Sequence, residues 1–145
     1  MTLNLLITLA LLLSFATIAR SNNAKEDTMD GTWLPTAAEL GGKQFPDDVR
    51  KSIKLVIKDD EYTVTVGNEG TDRGTVKLMP SASPKAMDIT GTEGPNRGKT
   101  ILAIYERKGD TLRVCYDMSG KQRPTAFRTK TGTQLFLVEY QRQKP

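Results

Sequence analysis

The chain of 145 residues contains no histidine. Histidine is the side chain that most readily exchanges a proton near neutral pH, and it is the commonest nitrogen ligand for zinc and copper. Its absence excludes histidine-based acid–base catalysis, the usual Ser and Cys triads, and most zinc or copper sites. Cysteine occurs once, as Cys115, so no internal disulfide can form. Stability must come from packing and sheet hydrogen bonds. Aromatics are sparse, and Trp33 is the single tryptophan. Charge is nearly balanced, with 21 basic and 17 acidic residues and a net charge of +4. The strongest basic excess lies near the end of the chain, with Arg123, Arg128, Lys130, Arg142 and Lys144 against Glu139. Nucleic-acid binding calls for a tighter basic patch interleaved with aromatics, so this excess reads as a solvated surface. Long helical periodicity and internal repeats are also missing.

One long apolar run is present. From Thr2 to Ala19 there is no charge, and a polar stretch, "RSNNAKEDTMD", follows. This pattern reads as a secretory signal peptide over residues 1–19, or to 21 if cleavage follows Ser21. Its length is near the lower limit for crossing a bilayer, so an uncleaved anchor is the alternative, and membrane contact is expected only in that case. Residues 20–30 read as a polar linker and 31–145 as one domain. The exported part, roughly 120 residues, suffices for a single core that buries roughly two thirds of the unfolded chain's surface. Export to the periplasm, cell envelope or extracellular space is expected.

The rest of the chain alternates between strand-like runs and turn signals. Ile53, Leu55 and Ile57 face one way, as do Tyr62, Val64 and Val66, with "DDE" (Asp59–Glu61) as a tight turn between the two runs. Val76 and Leu78, Met87 and Ile89, and Leu112, Val114 and Tyr116 repeat the pattern. Period-two alternation of this kind marks half-buried antiparallel strands. Two runs, Ile101–Glu106 and Leu135–Tyr140, are apolar on both faces and need a short helix, the N-terminal segment or a partner chain to cover their outer side. A short helix is expected over Phe45–Ser52, with Pro46 in its first turn and Asp47 and Asp48 at its positive end. Counting a first strand at Trp33, the fold class is all-β: an eight-stranded antiparallel meander barrel with one short helix.

The ordered segments "GTW", "GGKQFP", "IKLVIKDDEYTVTV", "GTVKL", "SPKAMDIT" and "EGPNRGKTILAIYERKGDTLRVCYDMSGKQRPTAF" resemble an uncharacterised lipocalin-like domain family expanded as paralogues in planctomycetes. The resemblance spans roughly Gly31 to Phe127. It implies an exported lipocalin-like barrel and carries no known reaction or ligand. In that architecture Gly31 and Trp33 close one end of the barrel. A basic side chain near the last strand then lies across the indole, a contact worth roughly 0.5–2 kcal/mol. Arg142 is the first candidate for it, with Arg128 and Arg123 as alternatives. Pro35 cannot donate to a ladder, so the first strand must be irregular or an edge.

The remaining motifs carry little chemistry. "GPNRGKT" (Gly94–Thr100) has the wrong glycine spacing for a phosphate loop and precedes a strand rather than a helix. Asp59–Glu61 lacks the spacing of a calcium loop. Asp88, Glu106 and Asp117 do not single out a catalytic pair. Cys115 faces away from the apolar face, where Arg113 could lower its pKa; a small packed hydrophobe is the commoner role for a lone cysteine. No enzyme activity, metal or cofactor is expected.

Two functions fit this reading. In the first, the barrel binds a small apolar or amphipathic molecule against Ile53, Leu55, Ile57, Tyr62, Val64, Val66, Val76, Leu78, Met87, Ile89, Leu112, Val114 and Tyr116, unless these side chains simply fill it as core. In the second, a filled barrel serves as a structural or interaction domain of the envelope. There it would meet a partner, or a second copy, through strands 101–105 and 135–140.

Overall fold

A computed structural model of the chain describes residues 28–145. The apolar run and most of the polar linker lie outside the described residues. The elements are β1 (Gly31–Leu40), β2 (Lys43–Gln44), α1 (Asp47–Ser52), β3 (Ile53–Lys58), β4 (Glu61–Val66), β5 (Thr71–Met79), β6 (Ala86–Glu93), β7 (Thr100–Lys108), β8 (Thr111–Asp117) and β9 (Leu135–Arg142). From β3 to β9 each strand pairs antiparallel with the next, and β1 pairs with both β3 and β9. The sheet therefore closes on itself as an eight-stranded, lipocalin-like meander barrel with one short helix. Strand β2 is a two-residue stub on the end of β1, outside the closed ring.

Local chemistry explains the path. The β3–β4 turn places Asp59 and Asp60 at φ 50° and 63°, as a two-residue turn with both central residues left-handed requires. Asp30 fixes that turn by accepting from the Asp59 N–H at 3.1 Å. In β1, Pro35 pairs with Tyr140 and Ala37 with Glu139, which leaves Thr36 as an extra residue in a bulge. The missing proline N–H is accommodated there, and the Thr36 hydroxyl donates to the Glu139 carbonyl. Beyond Trp33, β1 departs from β3, and α1 packs beside the departing strand. Arg50 of α1 donates to the Pro35 carbonyl at 2.8 Å, which satisfies backbone that β3 no longer reaches.

The doubly apolar strands are covered by the chain itself. The 118–134 segment between β8 and β9 folds back over the outer face of β6–β9. Asp117 starts it, accepting hydrogen bonds from the backbone of Ser119, Lys121 and Gln122 and from the Ser119 hydroxyl. Burial alone would raise this carboxyl's pKa, but those donors outweigh it and hold the group below the usual aspartate range. Arg123 clips the segment down, bonding the Met87 and Ala103 carbonyls at 3.0 and 2.9 Å and Asp88 at 2.6 Å. Arg113 lies over the Phe127 ring at 4.2 Å.

Of the two roles open to Cys115, the structure shows the packed one. Cys115 does sit on the outer face, yet it is fully buried beneath the covering segment, with its thiol 3.6 Å from the Arg128 carbonyl. Arg113 does not activate it, because that guanidinium is held by Glu106 at 2.6 Å. Burial instead pushes the Cys115 thiol above its ordinary value. The end of the polar stretch also packs with the sheet. Thr28–Asp30 belong to the barrel, since Met29 is part of the core and the Thr28 carbonyl accepts from Arg142.

Candidate functional site

One end of the barrel is shut. Trp33 is completely buried, and its indole N–H donates to the Met29 carbonyl at 2.9 Å. The Arg142 guanidinium lies over the indole at 4.5 Å and donates to the Thr28 carbonyl at 2.8 Å. Gly31 takes φ 144°, and a side chain there would press on the Arg142 stem at 3.2 Å. Gly31, Trp33 and Arg142 thus meet at one place. The two other arginines weighed for this role are elsewhere: Arg123 holds the covering segment, and Arg128 is exposed.

Above this floor the inward side chains do not fill the barrel. They leave a cavity of about 380 Å³. Of the repeated apolar face, Ile53, Leu55, Ile57, Tyr62, Val64, Val66, Val76, Met87, Ile89 and Tyr116 border it. Leu112 and Val114 are instead fully buried in the core, and Leu78 is partly buried against that core. Leu40 and Val49 also line the cavity and are themselves exposed, so it reaches the surface beside α1. Phe136 stacks on Phe45 at 5.3 Å and on Tyr116 at 5.8 Å, forming an aromatic column from the mouth inward.

Two polar groupings interrupt the apolar wall. In the first, Tyr62 donates to Asp72 at 2.8 Å. Asp72 also accepts from the Asn96 backbone and side-chain amides at 3.0 and 2.9 Å. This ties the β6–β7 loop across the mouth. Burial, and then the neighbouring Asp72 carboxylate, push the Tyr62 phenol far above its ordinary value. In the second, the phenol oxygens of Tyr116 and Tyr140 lie 3.1 Å apart. Burial raises both, and Tyr140 is pushed up to about 12. Both therefore remain neutral hydroxyls at any physiological pH.

Periodicity explains which lining residues could be read from sequence. Phe45, Val49, Pro95, Asn96 and Met118 lie in a helix or in turns, where no two-residue rhythm marks direction. Phe136 and Tyr140 lie in a strand apolar on both faces, which conceals its inward side. Asp72 had a signal, because it shares parity with Val76 and Leu78 along β5.

The acidic residues considered for catalysis stand outside the cavity. Asp88 is paired with Arg123, Glu106 with Lys108 and Arg113, and Asp117 caps the covering segment. Gly94–Thr100 forms the β6–β7 loop and the first residue of β7. Among the described residues, no three His, Cys, Asp or Glu side chains cluster in a way that could hold a metal ion. Comparison with known proteins finds no matching family model, no matching curated protein and no matching solved structure.

Proposed function

We propose that this chain is an exported lipocalin-like binding protein that takes a small apolar or amphipathic molecule into the barrel. The observation that carries this reading is the cavity of about 380 Å³, walled by aliphatic and aromatic side chains and open beside α1. Cavities of this size and lining are where proteins bury small ligands. The apolar N-terminal run supports export, and the order of motifs supports the lipocalin-like grouping. The reading is one of binding: Tyr62 and Asn96 bond Asp72, and Tyr116 and Tyr140 share a single hydrogen bond.

The test is fluorescence of N-phenyl-1-naphthylamine, a neutral apolar probe, with protein expressed from the full-length chain. Binding with a Kd on the order of micromolar is expected. Val64→Trp, which places an indole in the cavity, weakens binding more than tenfold while the protein still unfolds cooperatively. An absence of probe binding, or equal binding by Val64→Trp, overturns the reading. The alternative role as an interaction domain rests on Leu135 and Leu137, which stay partly exposed beside the covering segment.

A further inference from the structure

The cavity's polar groups bear on the charge and head group of what it accepts. The five polar lining residues are Tyr62, Asp72, Asn96, Tyr116 and Tyr140. Among the described residues of the lining there is no lysine or arginine, and Asp72 supplies the one carboxylate. Tyr62 has spent its hydroxyl proton on Asp72. Tyr116 and Tyr140 differ, because they are two phenols that share one hydrogen bond. Whichever hydroxyl accepts in that bond keeps its own proton, and the side chains that share the pair's face along β8 and β9 are Leu112, Val114, Phe136 and Val138. Tyr140 is the next inward side chain on β9 before Arg142, so the pair sits one layer above the closed floor.

An unmatched donor in an apolar surrounding is unfavourable, and a ligand acceptor placed against it recovers that cost. A carboxylate would also accept the proton. It would, however, enter a space with no cation and with Asp72 already present, and a buried anion without a partner is strongly disfavoured. We infer that the cavity selects an uncharged ligand whose carbonyl or similar acceptor lies against the Tyr116–Tyr140 pair, and that it rejects the corresponding carboxylate. This rests on the cavity-binding reading above and adds the chemistry of the ligand's polar end.

The test is displacement of N-phenyl-1-naphthylamine by three compounds that share a ten-carbon chain: decane, methyl decanoate and decanoate, at neutral pH. Methyl decanoate should bind at least tenfold more tightly than decanoate. In the double variant Tyr116→Phe with Tyr140→Phe, the affinity of methyl decanoate relative to decane should fall roughly 3- to 10-fold, the worth of one hydrogen bond. Taking that ratio removes any general loosening of the barrel. Equal or tighter binding of decanoate overturns the inference, as does an unchanged ratio in the double variant. In both cases the cavity-binding reading survives. If folded protein binds neither the probe nor any of the three chains, the cavity-binding reading itself falls, and this inference falls with it.

Discussion

Replacing Arg142 with methionine tests what closes the barrel. Methionine keeps a long apolar stem against Trp33 and Gly31 but removes the guanidinium. Three interactions go with it. The contact over the indole at 4.5 Å is worth about 0.5–2 kcal/mol. The charge-assisted bond to the Thr28 carbonyl at 2.8 Å is worth about 1.5–3 kcal/mol. The approach of Nε to Asp110 at 3.8 Å is too long for a hydrogen bond, and Asp110 is 45 % exposed; it adds under about 1 kcal/mol. Against these stands one gain. Nε is buried without a hydrogen-bond partner, and its removal recovers about 1–3 kcal/mol. The net loss is about 2 kcal/mol, or roughly 8 °C in Tm for a domain of roughly 120 residues. Urea unfolding followed by Trp33 emission reads it directly, since no other tryptophan contributes. The midpoint should fall with little change in slope. Arg142→Lys should fall between, because an ammonium keeps the charge but not the planar stack. The indole contact is shielded but the Thr28 bond is exposed, so added salt should reduce the loss in part. A methionine variant within about 0.5 kcal/mol of the parent would show that Trp33 closes the barrel by shape alone, and the worth assigned to the cation contact would be wrong.

The covering segment predicts how Cys115 behaves. In the parent protein the thiol should resist a water-soluble disulfide reagent, and Arg123→Ala, which frees the segment from Asp88 and two carbonyls, should speed that reaction at least tenfold; an unchanged rate would mean that other contacts hold the segment down. Acid should weaken the fold partly through Asp117. Its folded pKa is lowered, so its contribution is complete above the ordinary aspartate value and lost as pH falls through the folded one. Asp117→Asn should therefore show a shallower stability loss in urea melts from mild to strong acid. At high pH the sign reverses. All four tyrosines, Tyr62, Tyr105, Tyr116 and Tyr140, have raised values, so their stabilisation holds below pH 10.0 and fades above it. Phenolate absorbance should appear late and together with unfolding, and an early titration of one tyrosine would contradict its burial.

Much of the architecture could be read from residue order. Alternation of Ile53, Leu55 and Ile57 against lysines, repeated in five runs, defined strands and their inward faces. The count and the short turns defined a meander. Pro35 marked β1 as irregular, and the bulge at Thr36 is the form the irregularity takes. The two runs that were apolar on both sides signalled a covered outer surface, but nothing in their spacing named the cover. It comes from residues 118–134, which have no period and are held by isolated polar contacts such as Arg123 with Asp88.

Residue order alone sets which side chains turn inward along each alternating strand, because a strand's period is two and one face meets the core. Composition excluded histidine chemistry and internal disulfides outright. That the inward residues leave a space emerges with the closed barrel. That depends on how far the closed ring stands from its own axis and on where β1 departs from β3, neither of which a strand pattern contains. Tertiary structure likewise brought Tyr116 beside Tyr140, and Tyr62 and Asn96 onto Asp72, from strands and a loop distant in the chain. The face each strand shows is a local property, whereas the void and its polar lining belong to the closed ring as a whole.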